Sequence, residues 1–151
     1  MTRELYLEDL SVGAVFGSPT CAVADSDIKR FAAEFDPQPF HLDEAEAARS
    51  FFAGLAASGW HTAAMTMRLI VASLPLAGGV VGARMDDLRW PKPVRPGDIL
   101  RLESEILALR PSASHPERGW GKLRTTTLNQ RDEEVQILVY NLVLQRRAHG
   151  Q

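Results

Sequence analysis

Residues 58–74 read SGWHTAAMTMRLIVASL, and this stretch decides the fold class. Its apolar residues fall on nearly every side of a helix, and they are Trp60, Ala63, Ala64, Met67, Leu69, Ile70, Val71 and Leu74. A helix that is apolar almost all round is predicted to be buried inside the protein. The segment carries Arg68 and stops at Pro75, so it is too short and too mixed in polarity to span a bilayer.

Strand patterns follow this helix with no further helix between them. Four segments rich in strand-forming residues are separated by turn-forming residues, at 80–90, 99–109, 120–128 and 135–146. Parallel strands need long crossover connections, so this order predicts an antiparallel sheet. Both faces of the last segment are apolar, which predicts a central strand covered on each side. A buried helix lying across a curved antiparallel sheet makes an α+β domain.

Two shorter helices are predicted before the buried one. Residues 25–35 place apolar side chains on one helical face, with Asp25 or Ser26 as the cap. A proline follows Asp36 and disfavours helix there, so this helix is expected to stop near that residue. Asp43 is then predicted to cap a second short helix in a capping-box arrangement.

The composition fits one globular domain covering residues 1–151. Charged residues make up 24% of the chain and the formal net charge is −2, which provides no basic surface for nucleic acid. Cys21 is the only cysteine, so an intramolecular disulfide and a cysteine-based zinc site are excluded. The N-terminus lacks the apolar run of a signal peptide, and we expect a cytoplasmic protein.

The stretch DPQPFHLD at 36–43 contains an acid and an imidazole on a bent backbone. Asp36 and His41 are five residues apart, so in a regular helix their side chains would diverge. Pro37 and Pro39 restrict the backbone and allow the two side chains to converge. As a pair they can share one water molecule, which is general acid–base chemistry, with the acid and the base unassigned. A stiffened connector without a catalytic role is the alternative interpretation.

The start of the long helix is a second candidate site. If Ser58 caps the helix, the backbone N–H groups of Gly59 and its neighbours point outward without helical partners. The helix dipole favours developing negative charge there, and glycine lets a ligand approach the backbone closely. An ordinary helix cap without a ligand is the alternative.

These features together resemble the MaoC-like group of hot-dog domains, which includes the (R)-specific enoyl-CoA hydratases. Three motifs carry the resemblance in the same order: D-x-x-P-x-H-x-D at 36–43, a small residue followed by glycine at 58–59, and KPV-x-x-GD at 92–98. They span nearly the whole chain. The resemblance implies a single hot-dog domain, in which a curved antiparallel sheet wraps around a long central helix.

The resemblance also implies an activity. The implied reaction is the reversible addition of water to a 2-enoyl-CoA thioester to give a 3-hydroxyacyl-CoA, without a metal or a further cofactor. Asp36 and His41 are implied as the catalytic pair, and Gly59 as the contact for the thioester oxygen. Ser58 and Trp60 are expected to bind the substrate. Hot-dog domains commonly pair and exposed sheet edges are hazardous, so we expect a homodimer.

Two departures from the family pattern concern the acyl pocket. Many relatives begin the long helix with His-Gly, whereas this chain has Ser58-Gly59, and some hydratases carry a small polar residue where this chain has Met67. The length, branching and polarity of the acyl chain therefore stay open. Arg68 and Arg84 are candidates for a second substrate carboxylate. The candidates for contacts with CoA phosphates are Arg89, Lys92 and Arg95. A solvated or structural role is the alternative for all five arginines and lysines.

The remaining titratable candidates have plainer interpretations. His61 is predicted to be a packed or surface histidine, and His115 and His149 are predicted to be solvated. Asp43 could join Asp36 and His41 as a metal ligand, but its place before a helix favours a capping role.

Other functions remain open. Hot-dog thioesterases and acyl-carrier-protein dehydratases generally rely on a carboxylate or an amide within or beside the long helix. Residues 58–74 contain no Asp, Glu, Asn or Gln, which disfavours both classes. A non-catalytic acyl-CoA-binding protein is the alternative from a different functional class.

Overall fold

The computed structural model describes residues 3–148. In chain order it contains a short 3-10 helix at Leu7–Asp9, strands β1 (Val15–Gly17) and β2 (Cys21–Ala22), helices α1 (Asp25–Phe35), α2 (Pro39–Leu42), α3 (Glu44–Ala48) and α4 (Gly59–Ser73), and strands β3 (Val81–Arg89), β4 (Ile99–Pro111), β5 (Arg118–Leu128) and β6 (Glu134–Gln145). The predicted helices and strands are all present, and their ends lie within two residues of the predicted ones.

The strands form one antiparallel sheet, as predicted. Its order is β1-β4-β5-β6-β3, and β2 pairs with β4 beside β1. The long hairpins β4–β5 and β5–β6 form the middle of the sheet, while β3 pairs with β6 alone and forms one edge. A curved antiparallel sheet with one long helix across it is the hot-dog fold.

Helix α4 packs one face against the inner side of this sheet. The buried residues of the helix recur at helical spacing, and they are His61, Thr62, Met65, Thr66, Leu69 and Ile70. Thr66 and Thr127 share a hydrogen bond between their hydroxyl groups at 2.7 Å, which joins the helix to β5 in the core. The sheet and helix thereby bury a continuous apolar cluster.

The prediction that α4 is buried on all sides is wrong for the single chain. Trp60 and Val71 are each 57% exposed, and Met67 is 42% exposed. These side chains lie beside the buried face of the helix, on a side that is left partly open. The apolar pattern alone does not distinguish a face covered within the chain from one left open on its surface.

The prediction for β6 is correct on position and only half correct on burial. The strand lies between β5 and β3, so it is interior. Leu138, Tyr140 and Leu142 are buried beneath α4, whereas Val139 and Val143 on the outer face are only half-buried. Within residues 3–148 no helix packs over that outer face.

Two local details differ from expectation. Neither Asp25 nor Ser26 caps α1, because the helix begins at Asp25 after the extended residue Ala24, which makes no side-chain cap. The bend after α1 contains the helical turn α2, which four residues were too few to predict. Asp43 does cap α3, since its carboxylate accepts a hydrogen bond from the backbone N–H of Glu46 at 2.8 Å.

Candidate active site

The connection between α1 and α2 brings Asp36 and His41 together. Asp36 forms the C-cap of α1, and Pro39 begins α2 at a position where a helix needs no amide donor. The single turn of α2 directs His41 back toward α1, so that its Nε2 lies 3.3 Å from Oδ2 of Asp36. The bent backbone thus places the acid and the imidazole side by side, and their catalytic role stays a prediction.

Two polar side chains hold the Asp36 carboxylate. Ser58 donates its hydroxyl to Oδ2 at 2.7 Å, and Gln38 donates its amide to Oδ1 at 2.5 Å. Burial by itself raises the pKa of Asp36, but the hydrogen bonds from Ser58 and Gln38 outweigh it, and the charge of His41 lowers this pKa further when the ring is protonated. The pKa of Asp36 is therefore below that of an ordinary aspartate, and at neutral pH the group is an ionised hydrogen-bond acceptor.

The His41 ring is fixed from its opposite side. It is 4% exposed, and its Nδ1 lies 2.6 Å from the carbonyl oxygen of Ala56. A carbonyl oxygen can only accept, so Nδ1 carries a proton and donates it. In the neutral ring, Nε2 then presents a lone pair toward Asp36. Phe40 packs edge-on against the imidazole with a centroid distance of 4.6 Å, which further limits its rotation.

Helix α4 begins directly behind this pair. The Ser58 hydroxyl that donates to Asp36 also accepts a hydrogen bond from the backbone N–H of Trp60 at 3.2 Å, so it caps the helix. No hydrogen-bond acceptor for the backbone N–H of Gly59 lies within residues 3–148. The first backbone N–H groups of every helix lack an acceptor within the helix, and the Gly59 N–H is one of them. The helix dipole adds to the positive potential at this position.

Trp90 explains why the first residue of α4 is glycine. A Cβ atom at Gly59 would lie 2.7 Å from Cε2 of the Trp90 indole, which is closer than real Cβ contacts. The Trp90 ring meets the Trp60 ring edge to face at a centroid distance of 5.6 Å. Its Nε1 donates a hydrogen bond to Oε1 of Gln136 at 2.9 Å, so the indole is held over the helix start.

These groups border one cleft with a volume of 600 Å³. Its lining includes Asp36, His41, Phe52, Gly59, Trp60 and Trp90. The cleft therefore brings an ionised carboxylate, an imidazole lone pair and a helix N-terminus to one space. That combination can hold a polar reactant between the acid and the ring while stabilising negative charge at the helix start.

The structure separates the five predicted site residues into two groups. Asp36, His41, Gly59 and Trp60 line the cleft. Ser58 is 0% exposed and lies behind Asp36, so its hydroxyl reaches the carboxylate and the helix rather than the cleft. Sequence reasoning missed Gln38 within the 36–43 motif, and it missed the partners from elsewhere in the chain, which are Ala56, Trp90 and Gln136. The polar residue between the two prolines is the one signal that could have indicated Gln38.

The basic residues near the 92–98 turn are engaged in other contacts. Arg95 donates to the carbonyl oxygens of Phe52, Gly54 and Leu55 at 2.5, 2.8 and 3.2 Å, so it fastens the segment before α4. Lys92 pairs with Glu133. Arg89 forms an ion pair with Asp87 at 2.8 Å.

The remaining candidates lie away from the cleft or serve the fold. His61 is buried and stacks on Phe31 with a centroid distance of 4.6 Å, and burial lowers its pKa. His115 lies in an exposed turn, and His149 lies outside the described residues. In the described part of the chain, no three His, Cys, Asp or Glu side chains are grouped to hold a metal ion. No helix among residues 3–148 is long and apolar enough to cross a membrane.

Comparison with known proteins identifies the family. The sequence profile of the family described as "MaoC like domain" matches residues 11–119. The chain belongs to this family. A MaoC-like dehydratase from Rhodospirillum rubrum has a crystal structure with a TM-score of 0.92 and 54% sequence identity, over 95% of this chain and 99% of that one. The R-hydratase PhaJ1 from Pseudomonas aeruginosa is similar with a TM-score of 0.77 and 28% identity, over 95% of this chain and 88% of that one.

Two curated proteins are similar to this MaoC-like chain in sequence. Protein YdeM of Bacillus subtilis, which is described as uncharacterized, is 34% identical over 132 residues, covering 87% of this chain and 92% of YdeM. A 3-hydroxybutyryl-CoA dehydratase of Methylorubrum extorquens is 36% identical over 110 residues, covering 72% of this chain and 68% of that protein. Membership of the MaoC-like family supports a hydratase or dehydratase as the enzyme class of this chain.

Proposed function

We propose that the protein catalyses the reversible addition of water to a 2-enoyl-CoA, giving a (3R)-3-hydroxyacyl-CoA. The observation that carries this proposal is the approach of His41 Nε2 to within 3.3 Å of Asp36 Oδ2 in a cleft that also contains the start of α4. The CoA thioester is supported by the Methylorubrum relative, a 3-hydroxybutyryl-CoA dehydratase. The stereochemistry is supported by the R-hydratase from Pseudomonas.

The two side chains act on one water molecule. Both the ionised Asp36 carboxylate and the Nε2 lone pair of His41 are acceptors, so a water between them donates one hydrogen to each. Its oxygen is then free to attack C3 of the enoyl group. An imidazole is a stronger base than a carboxylate whose pKa is lowered, so we assign proton removal to His41. Asp36 orients the water and stabilises the imidazolium that forms.

The addition balances without any other reactant. As the water oxygen bonds to C3, the C2–C3 π electrons move toward the thioester carbonyl and form an enolate. His41 has taken a proton from the water and returns it to C2, which regenerates the neutral ring. The same two side chains hold the water and return its proton. The hydroxyl group and the hydrogen therefore add to the same face of the double bond.

The start of α4 is proposed to hold the thioester oxygen. The backbone N–H of Gly59 has no acceptor within residues 3–148, and negative charge grows on the thioester oxygen as the enolate forms. A donor placed at such an oxygen typically lowers the activation barrier by ~3–4 kcal/mol. Glycine and the dipole of α4 both favour this contact.

We further propose a homodimer. The exposed apolar face of α4 contains Trp60, Met67 and Val71, and β3 beside it has an outer edge with no strand partner in residues 3–148. An open edge next to an apolar face favours association with a second copy. In a dimer, the helix that the sequence predicts to be buried all round would be covered.

The proposed reaction is tested by offering the protein a panel of 2-enoyl-CoAs. Hydration removes the enoyl absorbance without releasing a thiol, and chiral analysis of the product should give the 3R alcohol. Release of free thiol would indicate a thioesterase instead. Binding of the panel without any turnover would favour a non-catalytic acyl-CoA-binding protein.

The assignment to this cleft is tested with Asp36→Asn and His41→Ala. Each is expected to lower kcat by at least ~10²-fold, while binding of a saturated acyl-CoA persists. Asp43→Asn and His115→Ala are matched controls, because they alter the same residue types outside the cleft. Turnover that survives both cleft variants would place the chemistry elsewhere.

A further inference from the structure

A second cavity lies between the exposed face of α4 and strands β3 and β6. Its volume is 570 Å³, and Trp60 lines both this groove and the catalytic cleft. Ala63 and Met67 of α4 form one wall, and Leu138 and Leu142 of β6 form part of the other. An apolar groove that adjoins the cleft fits the hydrocarbon part of an acyl chain, and in the proposed dimer the second copy would close its open side.

Gln136 contributes an uncharged amide to this largely apolar lining. Gln136 borders the groove, is 0% exposed, and has an amide nitrogen without a hydrogen-bond partner among the described residues. The orientation of its amide is fixed, because the indole Nε1 of Trp90 can only donate and lies 2.9 Å from Oε1 of Gln136. Nε2 therefore faces away from Trp90 with two unused hydrogens.

An unpaired buried amide is costly to keep. A buried donor without an acceptor destabilises a protein by ~1–3 kcal/mol, so native proteins usually pair such groups. Tyr140 also lines the groove, but its hydroxyl bonds to Thr125 at 2.8 Å and makes no hydrogen bond to Gln136. An oxygen atom of a bound ligand can supply the acceptor that the Gln136 amide lacks.

We propose that Gln136 donates its amide to an oxygen on the acyl chain of the substrate. This inference rests on the proposed hydratase function and names the substrate class, a 2-enoyl-CoA whose acyl chain carries a keto, hydroxyl or ether oxygen. The indole Nε1 that donates to Gln136 is bonded to Cε2, the ring atom nearest to Gly59, so one edge of the indole and one hydrogen bond separate the amide from the helix start. This short separation puts the amide within reach of the acyl carbons that follow the thioester carbonyl.

The charges around the groove favour a neutral oxygen over a second carboxylate. Arg84 is the basic residue that borders the groove, and it is paired with Asp86 at 2.8 Å. Arg68 lies in a different depression, beside His61. A neutral amide does not offset the cost of burying an ionised carboxylate in an apolar groove.

The unmodified protein provides the first test. We expect kcat/KM for a hexenoyl-CoA with a keto oxygen on its distal half to exceed that for plain 2-hexenoyl-CoA by about 10-fold or more, because a site built to hydrogen-bond an oxygen discriminates against its absence. Hydration of both substrates at equal rates would overturn the inference and leave the hydratase function intact. Preference for a distal carboxylate would overturn the neutral-oxygen class.

A variant at Gln136 provides the second test. Gln136→Met removes the donor and is close to glutamine in size. It should abolish the preference for the keto substrate, while the exposed control Glu134→Gln should retain it. A Gln136 variant that slows both substrates equally would contradict a role in recognising the oxygen.

Calorimetric binding separates this inference from the reaction itself. Hexanoyl-CoA and its keto analogue bind without turnover, and the keto compound should bind about 10-fold more tightly to the unmodified protein and equally to Gln136→Met. If no enoyl-CoA is hydrated but this difference is present, the hydratase proposal fails and the Gln136 site stands. If enoyl-CoA is hydrated but the two compounds bind equally tightly, the hydratase proposal stands and the Gln136 site fails.

Discussion

The Ser58 hydroxyl links the candidate catalytic pair to the helix behind it. It donates to Asp36 Oδ2 at 2.7 Å and accepts from the backbone N–H of Trp60 at 3.2 Å. One side chain thereby lowers the pKa of Asp36 and caps α4. The capping role was predictable from Ser58 and Gly59. The bond to Asp36 was not, because it joins residues that are 22 positions apart and depends on how α1 packs near α4.

Replacement of Ser58 by alanine should therefore affect both the activity and the pKa of Asp36. Loss of a hydrogen bond to a carboxylate is expected to lower kcat/KM about 10- to 100-fold. The hydrogen bond lowers the pKa of Asp36, so its removal raises that pKa. Carboxyl NMR titration should therefore show Asp36 becoming protonated at a higher pH in Ser58→Ala than in the unmodified protein.

The pKa of Asp36 separates this role from a merely structural one. Loss of the cap alone costs about 1 kcal/mol of stability and would leave that pKa unchanged. Ser50→Ala is a matched control, because the Ser50 hydroxyl also accepts a hydrogen bond from the backbone N–H two residues on, that of Phe52 at 3.1 Å, and makes no hydrogen bond to Asp36. An unchanged pKa of Asp36 in Ser58→Ala would contradict the proposed coupling.

At the scale of elements, the start of α4 is constrained by Trp90. In Gly59→Ala the new Cβ would lie 2.7 Å from the indole, so the ring or the helix start must move. We expect a stability loss of about 1–3 kcal/mol from overpacking and a larger loss of kcat than of acyl-CoA affinity. Urea unfolding and steady-state kinetics measure the two effects.

Gly17→Ala is the matched control for this substitution. Gly17 lies in β1, and a Cβ there would have no heavy atom within 4 Å. Its activity should equal that of the unmodified protein. Full activity in Gly59→Ala as well would show that neither Trp90 nor the backbone at residue 59 has to be close to the substrate.

The segment that leads into α4 is fastened by Arg95. Its guanidinium donates to the carbonyl oxygens of Phe52, Gly54 and Leu55. Arg95→Met leaves these partly buried acceptors unpaired and should lower the free energy of unfolding by about 2 kcal/mol, or the melting temperature by roughly 4–8 °C. Arg89→Met, which removes only an exposed ion pair, should change stability by less than about 0.5 kcal/mol. Equal calorimetric effects would contradict this role of Arg95.

The predictability of the elements follows their length. Helices 25–35 and 58–74 and the four long strands have enough periodic apolar residues to be predicted. The elements that were missed are the 3-10 helix, β1, β2 and α2, which have two to four residues each. Such short pieces depend on contacts from distant segments, as when β2 pairs with the start of β4.

At the scale of the whole molecule, the exposed face of α4 and the open edge of β3 favour a dimer. We expect light scattering to give a mass of twice the chain at micromolar concentration. Val71→Glu places a charge on the exposed helix face and should produce monomers. Val12→Glu is the control, since Val12 is equally apolar and 63% exposed but lies outside α4 and β3. A monomeric unmodified protein would contradict the dimer.

The sequence predicts the fold more completely than it predicts the surface of the molecule. The order of helix and strands and the hot-dog architecture follow from apolar patterns and motifs. The uncovered faces of α4 and β6 do not follow, because a pattern records which side chains are apolar and not what covers them. Asp36 and His41 were predictable because their motif is local. Gln136 was not, since its amide meets the site only through Trp90.

We propose that Asp36, His41 and the Gly59 N–H surround the reacting atoms of a thioester. A crystal structure of the Asp36→Asn variant with 2-butenoyl-CoA tests it most directly, because the amide keeps the shape of the carboxylate while slowing turnover. We predict the thioester oxygen within hydrogen-bond distance of the Gly59 N–H, and a water near C3 bound by residues 36 and 41. A thioester bound elsewhere, or one whose C3 faces away from His41, would contradict the account.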